Sequence, residues 1–457
     1  MTRASTRCFR MLVCGLILAS AAAQFALVPV MPAYAHRLGL SGFQQGEVLG
    51  APGLAALAVC LPAGTLSDRF GARRMTLCAG TLMAVGTLVQ ALAGNIAVLL
   101  AARLLFGAGY GIVWTAGLCW LAAAGGASTI GGSVTSGGIG GVLGPAVSGV
   151  LVQRFGLGVP WLLAAAGFAV ITVGLALVRT SGETAVAAAQ SGAQSGARSG
   201  ARSGSSLRTA ARNRGFVWAG AAVITAGLTN GVCSLLAPAE LHAAGTSTAR
   251  IGLDFAIAGL VFAIGSAVTA AAGRRALTVA VIGGGILAEA AAFSLTVVST
   301  TTLAVVAMLY AVTAARSVLW TVSYPLAATS AEQDGMGLGA VVGLLNGIWA
   351  ATAVVGPLAA GGIAEHLGAR IAFALTGIAC VATLGLAAVA AWRTRTQAAG
   401  TGTRAPSHFV PARVSARPPA APQIGTKRRL VRRAGTMRAA ESGFPDRHER
   451  NLRSLGK

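Results

Sequence analysis

Long apolar runs alternate with short polar or basic breaks along most of the chain. Runs of about 20 apolar residues, enough for one helix to cross a bilayer core, recur twelve times. They lie near residues 11–34, 45–66, 75–94, 97–121, 128–152, 159–179, 215–238, 250–272, 276–298, 302–325, 337–362 and 370–392. The pattern predicts an all-α membrane protein with 12 transmembrane helices. The break after the sixth run repeats AQSG-AQSG-ARSG-ARSG from Ala189 to Gly204. Small polar residues of this kind bury too little surface to fold, so residues 180–214 read as a flexible linker. That leaves a six-helix half at 1–179, a second at 215–392, and a basic tail at 393–457 that is expected to be disordered.

The first run follows Arg3, Arg7 and Arg10 and ends near Ala33-Tyr34-Ala35, which imitates a secretory signal and its cleavage site. From Met11 to about Ala35 it exceeds the roughly 7–15 residues of a signal core, and it contains Pro29 and Pro32. It reads instead as the first transmembrane helix.

The halves resemble each other. Gly144-Pro145-(3)-Gly149-(6)-Gly156 recurs as Gly356-Pro357-(3)-Gly361-(6)-Gly368, an offset of 212 residues. Ala101-Ala102-Arg103 recurs as Ala314-Ala315-Arg316, an offset of 213. Two matches at nearly one offset predict two pseudo-symmetric six-helix bundles, a recurring transporter design.

Composition agrees. The 457 residues are 55% hydrophobic and 10% charged, against about 25% charged in soluble domains; mean hydropathy is +0.72. The 63 glycines suit helices that approach closely in lipid. The formal charge of +23 is not that of a basic globular domain: 15 of the 35 Lys and Arg follow Trp392, and most others sit between apolar runs. With both termini inside, the cytoplasmic segments carry 16 arginines, counting only Arg393 and Arg395 of the tail, and the outer segments 4. The charge therefore sets orientation and attracts the lipid surface, and no nucleic-acid partner is expected. The seven cysteines lie almost all in apolar runs, without a CxxC pair or a nearby histidine, which predicts neither disulfides nor a metal site.

Three motifs carry a resemblance. Gly64-Thr65-Leu66-Ser67-Asp68-Arg69-Phe70-Gly71-Ala72-Arg73-Arg74 stands between helices two and three. It resembles the cytoplasmic-loop signature of the major facilitator superfamily, with Ala72 where arginine is usual. Arg103-(3)-Gly107-Ala108-Gly109 resembles that family's helix-four motif. Gly140-(3)-Gly144-Pro145-(2)-Ser148-Gly149 is similar to the helix-five motif of its proton-coupled drug exporters, with Ser148 replacing a glycine. The resemblance spans residues 11 to 392.

The resemblance implies a cell-membrane transporter with both termini cytoplasmic, monomeric, moving a small molecule by alternating access. It implies no bound cofactor, the proton gradient being the driving force, and no enzymatic activity. In the loop, Asp68 is expected to gate against a facing helix N-terminus, with Gly64 and Gly71 allowing the turn. Arg69, Arg73 and Arg74 hold the loop in the cytoplasm and are placed to pair with Glu332 and Asp334. Gly140, Gly144, Pro145 and Gly149 give helix five a smooth, bent face, which serves close packing equally well.

Arg103 and Arg316 lie deep in apolar spans, where a charge is costly and points to function. Tyr110 and Trp114 follow Arg103 at helical spacing; Thr313, Ser317, Trp320 and Tyr324 accompany Arg316. By resemblance, helices one, four, seven and ten line the cavity, adding Gln24, Thr229 and Asn230. Acids for proton coupling are few. Glu47 and Asp254 lie near outer helix ends, and Arg103 is a further coupling candidate. Glu289 falls on helix nine, which the fold places at the periphery, so it reads as a packing residue. The leading expectation is proton-coupled efflux of a drug-like or metabolite compound. The alternatives are import or exchange of a small organic anion, favoured by two arginines and by Gln24 where cation exporters carry an acid, and a transport-inactive sensor.

Overall fold

A computed structural model describes residues 3–118, 120–121, 128–178, 213–333 and 338–400. Side chains at 3–7, 60–65, 68, 128–131, 134, 331–333, 338–340 and 395–400 fall outside that description. The linker repeat, the tail beyond Gly400, Asp334 and the side chains of Asp68 and Glu332 therefore lie outside the described residues, and the surroundings of Gly64 with them.

The described residues form twelve long helices and no strand. Helix α1 (Arg3–Ala26) continues through a 3-10 turn at Val28–Val30, where Pro29 withholds an amide, into a short helix at Met31–Leu38. The others are α2 (Gly42–Phe70), α3 (Ala72–Ala91), α4 (Ile96–Ile112), α5 (Ser128–Phe155), α6 (Val159–Leu177), α7 (Arg214–Ala243), α8 (Thr248–Ala272), α9 (Val279–Val298), α10 (Thr302–Gln333), α11 (Leu338–Leu367) and α12 (Ala369–Gly400). Among the described residues, ten spans are long and apolar enough to cross a membrane. The helices without one are α2, with Gln44, Gln45 and Glu47 near its start, and α3, which opens on Arg73 and Arg74. This is an all-α membrane fold.

Successive helices run in opposite directions. The bundle thus has a near end, where α1 begins and α2 turns into α3, and a far end, where α1 meets α2 and α7 meets α8. Local chemistry marks the turns. At the far end Ser41 caps α2, its hydroxyl accepting from the Gln44 amide while Gln44 Oε1 accepts from the Ser41 amide. Ser247 caps α8 in the same way, accepting from the Arg250 amide. Asn95, Asn213 and Thr278 start α4, α7 and α9. Gly71, at φ +86°, joins α2 to α3 in a backbone region that other residues avoid.

The outer surface is apolar: Leu177, Leu303, Leu386 and Val170 are more than 70% exposed, as lipid contact allows. Packing repeats between the halves. In the first, α1 lies on α5 and α6, α4 on α2 and α3, and α3 on α6. In the second, α7 lies on α11 and α12, α10 on α8 and α9, and α9 on α12. The halves meet along two seams, α2 against α11 and α5 against α8, which exchange under the same symmetry.

Candidate functional site

Arg103 is 1% exposed on α4. One amino group donates to Gln24 Oε1 on α1 at 3.1 Å, and the guanidinium lies 5.2 Å from the Phe106 ring. Its Nε has no hydrogen-bond partner. The glycines after it seat the helix: a side chain at Gly107 would strike Pro52 of α2, and one at Gly109 would meet the Ala79 carbonyl of α3 at 2.6 Å. The helix-four motif therefore fixes where Arg103 points. Two turns beyond Arg103, Tyr110 and Trp114 pack at 6.0 Å between ring centres. There α4 widens into a π turn at Val113–Gly117, a local irregularity common at functional positions.

Arg316 lies on α10, 14 residues after its first residue Thr302, where Arg103 stands 7 after Ile96. Its Nη2 donates to Thr313 Oγ1 at 3.3 Å, one turn back on its own helix, and Nη1 has no partner. Across from it on α9, Glu289 is fully buried. Glu289 Oε1 accepts from Thr229 Oγ1 of α7 at 3.1 Å, and Oε2 has no partner. Helices α9 and α10 pack here, Gly285 against Leu319, and Arg316 and Glu289 do not come within ion-pair distance. Asn230 is half-buried beside Thr229.

The rest of the α10 stripe divides. Ser317 donates to the Ala314 carbonyl and fits against Gly265 of α8, so it belongs to a helix contact. Trp320 packs on Tyr324 and on Trp349 of α11, with centroids 5.2 and 4.6 Å apart, and the Tyr324 hydroxyl donates to Asn346 Oδ1 at 2.7 Å. The two arginines thus each have an aromatic group further along their own helix. Asp254 stands apart, accepting from Arg250 Nε at 3.2 Å and from the Tyr310 hydroxyl at 3.2 Å near the far end. It is the one carboxylate in an ion pair among the described residues. Glu47, half-buried on α2, is not in one.

A family model described as Major Facilitator Superfamily matches residues 13–342. The chain belongs to that superfamily. Solved structures share the superfamily fold. One is a bacterial homologue of the human lysosomal transporter Spinster, inward-facing and unoccupied: TM-score 0.67, 14% identity, covering 87% of this chain and 98% of that one. The same bacterial homologue, inward-facing and occupied, gives 0.66 at 15% identity, over 85% and 96%. No curated protein matches significantly. Superfamily membership makes this a multi-pass membrane transporter.

The superfamily motifs can now be placed. Arg73 Nη2 donates to the Ala176 carbonyl at 2.8 Å and to Val178 at 3.4 Å. A cation there answers the C-terminal carbonyls of α6; the acids suggested by the sequence, Glu332 and Asp334, lie outside the described residues. Arg69 lies over the Phe70 ring at 5.6 Å, and Arg74 is exposed. The helix-five residues are a packing seam. Side chains at Gly140 and Gly144 would strike the Leu18 and Ala22 carbonyls of α1, and one at Gly149 would meet Thr248 O of α8 at 2.6 Å. In return, a side chain at Gly252 would strike the Pro145 carbonyl. The second half repeats this: Gly361 abuts Gly42, and Gly46 abuts Pro357.

Each seam ends in a latch at the far end. Gln153 Oε1 on α5 accepts from the Ala249 amide at the start of α8, at 3.1 Å. Glu365 Oε2 on α11 accepts from the Phe43 amide at the start of α2, at 3.0 Å. Residues 153 and 365 are 212 apart, the offset of the Gly-Pro repeat. The sequence signal for both latches was therefore present, though neither residue stood out by type.

Proposed function

We propose that the chain is a secondary transporter that moves a small amphipathic molecule with an anionic head, coupled to protons, by alternating access. The single observation that carries this reading is the pair of deep guanidiniums, neither within ion-pair distance of a carboxylate among the described residues. Arginine releases its proton only far above neutral pH, so each remains a cation with an open donor, Nε of Arg103 and Nη1 of Arg316. A planar oxyanion matches that donor geometry. The aromatic groups at Tyr110–Trp114 and Trp320–Trp349 favour an apolar body attached to the anion. This supports the organic-anion alternative over a cationic drug. The Gly-Pro seam has the same packing task in both halves and carries no direction of transport.

The test uses proteoliposomes and dansyl-aminoundecanoate, an amphipathic carboxylate, beside its uncharged methyl ester. The carboxylate is expected to bind and exchange, and Arg316→Ala and Arg103→Ala to weaken it. Equal binding of ester and carboxylate would overturn the reading. Inverted vesicles with an imposed proton gradient then give the direction.

A further inference from the structure

We propose that Glu289 is the proton-binding group of this carrier, and that Arg316 decides whether its carboxyl holds the proton. The proposal rests on the anion-transport reading and names a coupling residue that the sequence assigned to packing. Glu47 and Asp254, the acids the sequence favoured, are poorly suited: Asp254 already has Arg250 and Tyr310, and Glu47 lies near the far end of α2.

Glu289 differs from both. It sits mid-way along α9, fully buried, with one oxygen held by Thr229 and the other left open. An ionised carboxylate in that setting is costly unless a cation comes to it. Thr229 of α7 bonds its Oε1, and Arg316 lies on α10 one turn before Leu319, which packs on Gly285 one turn before Glu289; the thiols of Cys233 on α7 and Cys380 on α12 complete its titratable surroundings. Arg316 is the cation among them, and its Nη1 is open. The two unpartnered atoms, Glu289 Oε2 and Arg316 Nη1, are thus complementary and not yet joined. In the first half the corresponding stretch of α3, around Leu82 and Met83, is apolar, so an acid here is not demanded by the shared architecture.

The cycle follows from competition for one guanidinium. With no substrate bound, Arg316 turns to Glu289 Oε2 and the carboxylate stays ionised. When the substrate's anionic head takes Arg316, Glu289 loses its counter-charge and binds one proton from water on that side. The anion and the proton cross together. On the other side the anion leaves, Arg316 returns, and the proton passes from Glu289 to water. One monoanion with one proton makes the step electroneutral.

Two independent measurements test this on the purified full chain in liposomes. In infrared spectra recorded through a pH titration, a protonated-carboxyl band should be present in wild type, lost in Glu289→Gln, and retained in Asp254→Asn and Glu47→Gln. Its midpoint should move in Arg316→Gln. This arm needs no substrate, so it stands even if dansyl-aminoundecanoate is not transported, an outcome that would defeat only the anion reading. In the second arm, Glu289→Gln should keep exchange of the probe while losing tenfold or more of its proton-driven accumulation. If Glu289→Gln does not insert, Thr229→Val, which frees Oε1, should shift the band midpoint. A band that survives Glu289→Gln, that moves with neither Arg316→Gln nor Thr229→Val, or that vanishes in Asp254→Asn would overturn the proposal. So would equal loss of exchange and accumulation in folded Glu289→Gln.

Discussion

The two halves of this molecule share a backbone plan and differ in their charges. Gly140, Gly144 and Gly149 seat α5 as Gly356 and Gly361 seat α11, and both seams end in a side-chain oxygen on the first amides of the opposing helix. Yet Arg103 has a neutral partner in Gln24, whereas Arg316 stands near the acid Glu289. One latch is Gln153 and the other Glu365. A duplicated scaffold has kept what packing requires, close backbones at fixed places. It has varied what solvation and charge decide. On the proposed reading, the first half holds a substrate group against a steady cation and the second changes state.

That contrast can be broken at several points. The largest effect is expected at the seams. A methyl at Gly144 would strike Ala22, while at Gly356 the nearest atom is the Leu228 carbonyl at 2.9 Å. Gly144→Ala should cost about 1–3 kcal/mol of stability and Gly356→Ala less, read as thermal midpoints in detergent. Gly141→Ala, meeting only the Phe25 ring at 3.5 Å, should be near neutral.

Next come the arginines. A charge-assisted hydrogen bond contributes about 1.5–3 kcal/mol. Arg316→Ala should therefore weaken dansyl-aminoundecanoate binding tenfold or more, and Arg103→Ala should do so less because Gln24 already holds part of that guanidinium. Arg→Lys at either place should still impair transport, since the charge is kept and the planar fork is lost. Equal Kd for wild type and both alanine variants would show the arginines to be structural.

A sharper change is Gln24→Glu, which gives the first half its own acid. It should weaken probe binding about fivefold, or ~1 kcal/mol, by occupying Arg103 in advance. Unchanged affinity would mean that Arg103 does not meet the anion. The smallest effect is expected at the latches. A carboxylate at a helix N-terminus contributes about 0.3–1 kcal/mol. Glu365→Gln should thus raise the far-end-open population about two- to fivefold, and Gln153→Glu should lower it. Spin-label distances between cysteines at Arg37 and Ala244 report that opening.

Much of the fold was legible because lipid imposes a strong constraint: a helix must cross with apolar residues, and each run declares itself by length. The repeat offset was legible because packing tolerates only glycine at the closest approaches. The site was legible in part. Arg103, Gln24, Thr313 and Arg316 stood out as polar groups in apolar runs, but their pairings depend on which helices touch. Glu289 was set aside because α9 lies at the edge of the fold; its partner Thr229 is 60 residues away in sequence. Trp349 and Asn346, which complete the Trp320–Tyr324 group, sit on α11, outside the four helices expected to line the cavity.

The glycine seams also determine how the halves move past each other. Where two helices touch through long side chains, sliding requires rotamers to disengage and repack, which roughens the path. At Gly42–Gly361 and Gly149–Thr248 main chain meets main chain, and main chain has no rotamers to rearrange. Such a contact works as a plain bearing: it fixes the axis of rocking, adds little friction, and leaves the detents to the single bonds at its rim.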